Sequence, residues 1–240
     1  MHPFALTPRA EGSPPADNGI SRSGVEPLPL PPYESDIHCV SVIGQIEGHL
    51  AMNDENKTTR YEEILPQLIA AEQCDGIKGV LFLLHTVGGD VEAGLAIAEM
   101  IASLTKPTVS LVLGGGHSIG VPIAVAADHS LIAASAAMIL HPIRTSGLVV
   151  TAEQSFNYLR MMQERVVRFI VSHSSIGEEE LSKLMLSTGE LAGDIGTIVV
   201  GREAVQCGLI DGVGGVGDAL AALRAGIAAK EKEEQKEKKK

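Results

Sequence analysis

The stretch KGVLFLLHTVGGDVEAGLAIAEMIASL, residues 78–104, decides the fold. Its opening, Lys78 to Thr86, is a near-continuous apolar run of strand length, the pattern of a strand covered on both faces. Gly88, Gly89 and Asp90 then turn the chain. Beyond them Val91, Leu95, Ala98, Ile101 and Ala102 recur at helical spacing on one side, and Pro107 stops the helix they define. A buried strand, a glycine turn and an amphipathic helix predict an α/β succession with parallel-sheet character.

The alternation continues in both directions. Upstream, HCVSVIGQI (38–46) reads as a strand and YEEILPQLIAAEQ (61–73) as a helix whose early turns Pro66 distorts. Downstream, TVSLVL (108–113) is a second buried strand, GGGHS a glycine turn, and IGVPIAVAAD (119–128) a short helix, followed by short strands around SLIAA and AMIL. The longest helix is AEQSFNYLRMMQERVVRFIVSH (152–173), with Phe156, Leu159, Met162, Val166, Phe169 and Ile170 on one side and charges opposite. Residues 107–127 carry no charge and are long enough to span a bilayer. Pro107, the glycines 114–116, His117 and Pro122 break that run into two short pieces, so a strand and a helix are predicted rather than a membrane span.

Composition narrows the class. The chain has 240 residues, 45% hydrophobic and 20% charged, enough for one substantial core. A formal charge of −11, with no basic stripe, excludes nucleic acid as a partner. Cys39, Cys74 and Cys207 are odd in number and far apart, which points to a reducing, cytoplasmic compartment with neither a disulfide frame nor a zinc knuckle. Residues 1–36 are rich in Pro, Gly and Ser and read as a disordered arm with no secretory h-region. One domain follows over 37–228, and 229–240 is a charged tail extending the last helix.

The chemistry concentrates on Ser118. It lies in Gly116-His117-Ser118-Ile119-Gly120, a G-x-S-x-G spacing that lets a chain turn sharply and present a hydroxyl. A serine at this point also fits a helix N-cap, and both readings stand at the level of residues. A nucleophilic serine needs a base. His38, His49, His129 and His173 suit surface roles, His117 a structural one, and His85 either lines the site or caps its strand. His141 ends a strand and precedes Pro142, a position that returns to Ser118 after one helix and one strand, although an edge histidine would look the same. Asp194, Asp211 and Asp128 are the carboxylates that could orient the imidazole, and spacing does not choose among them. Gly212 to Gly217 fits G-x-G-x-x-G, but too little chain follows to complete a dinucleotide-binding unit, so a glycine turn before the last helix is predicted.

GGDVEAGLAIAEMI after a buried strand, GGHSIG, MILHP and EAVQCGLID, in that order, resemble the Clp-type serine peptidases of the ClpP/crotonase superfamily, and within it the translocation-enhancing branch. The resemblance covers roughly residues 37–222. It implies an α/β, ClpP/crotonase-like spiral of ββα units with a protruding handle helix, here 152–173. It implies Ser118 as nucleophile, His141 as general base, the N–H groups of Gly88 and Ile119 as oxyanion hole, and Asp194 as the acid, with a short gap before EAVQCGLID. It also implies a ring-type homo-oligomer acting on unfolded polypeptide or peptides, with neither cofactor nor metal. The chain departs from the family pattern at four places. His85-Thr86-Val87-Gly88-Gly89 stands for N-S-P-G-G, Pro142 follows His141 directly, Gly193 precedes the acid where arginine is usual, and the Pro-rich arm replaces short axial loops, so an AAA+ unfoldase is not implied. Two alternatives follow: a non-proteolytic assembly factor in protein export, and a crotonase-type acyl-CoA enzyme using Glu92.

Overall fold

In the computed structural model, which describes residues 35–50, 52–53, 55–144, 152–191 and 194–237, the first element is strand β1 (Ile37–Glu47). The predicted arm falls on residues 1–34, outside the described residues, apart from its last two positions. Strand β2 (Thr58–Arg60) leads into helix α1 (Tyr61–Gln73), and β3 (Gly79–Gly89) into α2 (Val91–Ala102). Strand β4 (Thr108–Gly116), helix α3 (Gly120–Val125), β5 (His129–Ile132) and β6 (Ala137–Leu140) follow. Next come the long helix α4 (Ala152–Ser172), α5 (Glu178–Leu186), the short strands β7 (Thr188–Leu191) and β8 (Asp194–Ile195), and β9 (Thr197–Val200). Helix α6 (Arg202–Gln206), strand β10 (Gly212–Val213) and helix α7 (Val216–Glu237) close the chain, with the predicted glycine turn between the last two. Residues Ser35–Lys240 make one compact unit.

The sheet runs β10-β5-β4-β3-β1-β2 with every neighbour parallel. Parallel strands need crossovers, which the helices supply. Along β3, Val80, Phe82 and Leu84 face the main core, packed under α1, α2 and α3, while Leu81 joins Val109, Leu111 and Leu131 beneath Ala219, Leu223 and Ile227 of α7. Cover on both faces is what the unbroken apolar run predicts. β4 changes partners midway. It pairs with β5 through Val112 and then with β6 at Gly115, and β6 pairs antiparallel with β9. That change of partner turns the sheet toward a second layer.

The apolar stripe of α4 is half used. Met162, Val166, Phe169 and Ile170 are buried, but Phe156 is 66% exposed and Tyr158 and Met161 are also exposed. The first half of the helix thus projects and only its root packs, as expected of a protruding handle helix. Lys106 supplies a tie between α1 and the start of β4: its Nζ donates to Ala71 O and Cys74 O, each at 2.6 Å, placing a positive charge at the carbonyl end of the helix. Lys106→Met keeps the stem and removes the donors. Urea unfolding should show a loss of about 1–3 kcal/mol, as for hydrogen bonds from a charged donor.

Candidate active site

The three glycines before Ser118 are not the turn. They complete β4, and the chain turns over His117–Ile119 instead. Their role is room. A Cβ on Gly114 would lie 2.1 Å from His85 Nδ1, and one on Gly115 would lie 2.8 Å from His117 Nε2. The glycines let two imidazoles pack onto the strand, and His85 Nδ1 accepts the Gly115 N–H at 3.2 Å where the β3–β4 register shifts. His85 therefore has a structural part, as has His117. His38 differs from the surface role predicted for it: it lies within β1, half-buried, with Nε2 buried and unbonded.

Ser118 has φ +56°, the one non-glycine residue with positive φ among the described residues. Left-handed backbone is strained for an L-residue and turns the side chain sharply away from the strand. The backbone holds this turn from three sides: His117 N–H donates to Thr86 O (3.1 Å), Ser118 N–H to Ile139 O (2.9 Å), and Val121 N–H to Ser118 O (3.0 Å). The hydroxyl makes no hydrogen bond to any described residue, and α3 starts at Gly120 without a side-chain cap. Ser118 is not an N-cap. Gly94 of α2 lets the neighbouring Ile119 side chain seat, since a Cβ there would lie 2.3 Å from Ile119 Cγ1.

The bond from Ser118 to Ile139 brings β6 alongside the turn, and His141 follows just after that strand. Ser118 and His141 line one cleft of about 140 Å³, walled by Leu140, Ile143, and Val166 and Ile170 from the root of α4. His141 Nδ1 lies 2.7 Å from Pro142 O. A carbonyl only accepts, so Nδ1 carries the proton and a neutral ring keeps its lone pair on Nε2. The direct His-Pro sequence provides this partner.

Of the rival acids, Asp128 Oδ2 accepts from Thr108 N–H (2.8 Å) and Oγ1 (3.0 Å), and Asp211 Oδ2 from Ser130 N–H (2.8 Å) and Oγ (2.9 Å). Both tie strand starts at the end of the sheet opposite Ser118, about 25 Å along β4 at strand rise. Neither serves His141. Asp194 opens β8 and pairs with Leu191, and its carboxylate lies outside the described residues. The β6–β9 ladder ends with Leu140 against Thr197, at the residue before His141.

Gly88 (φ +86°) packs directly on Ser118: a Cβ there would lie 2.7 Å from Ser118 Cβ and 3.3 Å from Ile119 N. The Ile119 N–H has no acceptor among the described residues. The Gly88 N–H donates to Thr86 Oγ1 at 3.0 Å, a bond nothing in the sequence pattern signals. Glu92 is held by Arg165 of α4 through two contacts at 2.6 and 3.0 Å, and that hydrogen-bonded guanidinium pulls its carboxyl below the ordinary range. A general acid needs the opposite shift, so the acyl-CoA alternative loses its residue.

Burial, reinforced by nearby His85 and His141, holds His117 below the ordinary imidazole value of 6.5. The folded protein then binds fewer protons than the unfolded chain. This contribution is intact above pH 6.5 and is lost as pH falls through the window below it. Thermal unfolding followed against pH should show Tm falling on acidification below 6.5, with a smaller fall in His117→Gln.

A parallel sheet, a strained serine at the end of one strand and a histidine beside it define a protein of the ClpP-like α/β class. A family model described as Clp protease matches residues 34–216, and the chain belongs to the Clp protease family. It is 61% identical over 190 residues to translocation-enhancing protein TepA of Halalkalibacterium halodurans, which covers 79% of this chain and 74% of that protein. A point mutant of ClpP1 from Listeria monocytogenes shares the fold at TM-score 0.61 and 21% identity, over 76% of this chain and 94% of that one. No helix among the described residues is long and apolar enough to cross a membrane.

Proposed function

We propose that this chain is a Clp-type serine endopeptidase acting on unfolded polypeptide or peptides in the cytoplasm, in protein export or quality control. Ser118 Oγ attacks the peptide carbonyl carbon while its proton passes to His141 Nε2. The resulting oxyanion is held by the N–H groups of Ile119 and Gly88, each contributing about 3 kcal/mol to the transition state. His141 returns the proton to the leaving amine, and water then clears the acyl-enzyme. Asp194 is the carboxylate of the triad and takes over the His141 Nδ1–H from Pro142 O when substrate binds, and 37–228 is the catalytic domain. Members of this family typically form rings, and a homo-oligomeric ring is the working form. An unfoldase is not implied.

The observation that carries this reading is the meeting of Ser118, at φ +56° with a free hydroxyl, and His141 on one cleft. A fluorophosphonate probe applied to the assembled particle should label the wild type and spare Ser118→Ala. Failure to label, together with no cleavage of unfolded or small peptide substrates, would overturn it.

A second reading, a non-proteolytic assembly factor in translocation, draws on the name of the TepA relative and on one observation: the Gly88 N–H is engaged by Thr86. Complementation separates the two. Full rescue of the cellular role by Ser118→Ala would favour the assembly factor, and loss of rescue the peptidase.

A further inference from the structure

Thr86 is 1% exposed and sits where three parts of the site meet. Its hydroxyl donates to Gly44 O at 2.6 Å and accepts the Gly88 N–H at 3.0 Å. Its carbonyl accepts His117 N–H, and its methyl faces Gly120, where a Cβ would lie 2.6 Å from Cγ2. Gly44, at φ +78°, marks the irregularity in β1–β3 pairing, so the hydroxyl bridges that kink to the glycine turn ending β3.

Resting on the peptidase reading above, we propose that Thr86 is the positioning residue of the oxyanion hole, holding the Gly88 N–H out of use until substrate charge develops. One N–H has one hydrogen. While it points at Thr86 Oγ1 it offers little to an oxygen in the cleft, so the resting site presents one free donor, the Ile119 N–H. The Val87–Gly88 peptide turns about Val87 ψ and Gly88 φ, and glycine at 88 (φ +86°) tolerates backbone that other residues resist. A developing oxyanion is the stronger acceptor, since hydrogen bonds to an ionised partner are roughly twice as strong as neutral ones. The donor therefore transfers from the threonine to the tetrahedral intermediate. The transfer consumes part of the stabilisation that an already free donor would give, so Thr86 lowers the basal reactivity of Ser118.

The test compares rates of Ser118 phosphonylation in the assembled particle. Thr86→Val keeps the shape and removes the acceptor for the Gly88 N–H together with the donor to Gly44 O, and it should label about fivefold faster, the equivalent of one ordinary hydrogen bond to Gly88. Thr86→Ser keeps the acceptor and should return the rate toward wild type. Wild-type labelling with a folded Thr86→Val no faster than wild type overturns the proposal and leaves the peptidase reading standing. No labelling in any of the three overturns the peptidase reading and this role together. Should Thr86→Val not fold, amide exchange at Gly88 in the wild type decides. Slow exchange at rest that changes on phosphonylation supports the transfer, and exchange at the rate of an exposed loop refutes it.

Discussion

On the proposed peptidase function, His141→Ala should lower kcat/KM on a fluorogenic peptide by about 10⁴-fold or more, and Ser118→Ala should do the same, as for catalytic groups that act as a unit. The double variant should be no slower than either single one. This non-additivity is the informative part. In the proposed mechanism Ser118 Oγ gains its nucleophilicity only by passing a proton to His141, so once either partner is missing there is nothing left for the other to contribute. The geometry supports such coupling: the Ser118 amide is bonded to Ile139 O, and His141 follows just after that strand with Nδ1 donating to Pro142 O. Multiplying losses in the double variant would show that the two side chains work separately, and the shared cleft would then be a coincidence of packing.

Gly44→Ala should be the most damaging single methyl in the sheet. The position has φ +78°, and the added Cβ would stand 2.0 Å from Lys57 O and 2.5 Å from Lys57 C. Those are backbone atoms, and Lys57 O also accepts the Gln45 N–H at 3.0 Å, so they do not swing aside like a side chain. Strained backbone contributes roughly 1–3 kcal/mol and overpacking about 1–3 kcal/mol, so a loss of about 3 kcal/mol is expected. That corresponds to a fall in Tm of roughly 6–12 °C for a domain of this size. Gly177→Ala is the control. Nothing lies within 4 Å of its added Cβ, so beyond the small cost of alanine at the N-cap of α5 its Tm should stay near the wild type. A Gly44→Ala protein as stable as that control would contradict the pairing of β1 with the Lys57 segment.

Much of the fold was legible because it is written locally. The unbroken apolar run of β3 announced burial on both faces, and the spacing from Val91 to Ile101 announced α2. The glycines at 114–116 were misleading for a physical reason. Glycine serves both sharp turns and close approach, and only the three-dimensional neighbours, His85 and His117, reveal that close approach is its use here. The projecting first half of α4 was expected from the family resemblance and not from the stripe, since Phe156 fits the helical spacing as well as Phe169 does. In the candidate site, glycine spacing and a strand end singled out Ser118 and His141, which line one cleft. The hydroxyl of Thr86 carries no signature beyond standing two residues before a glycine, and its partner Gly44 lies 42 positions away. Choosing among the aspartates required knowing which end of the sheet each occupies, and that depends on register.

The shared strand β4 has a consequence for how the molecule can be divided. Its early residues are laddered to β5 and its last to β6, so the two layers have one backbone in common. A chain split in the Ala133–Ala136 turn would give two fragments, neither holding a full set of bonding partners. Each half should stay unstructured alone and regain its shape only when mixed with the other, so a split version of this protein would report on the encounter of its pieces.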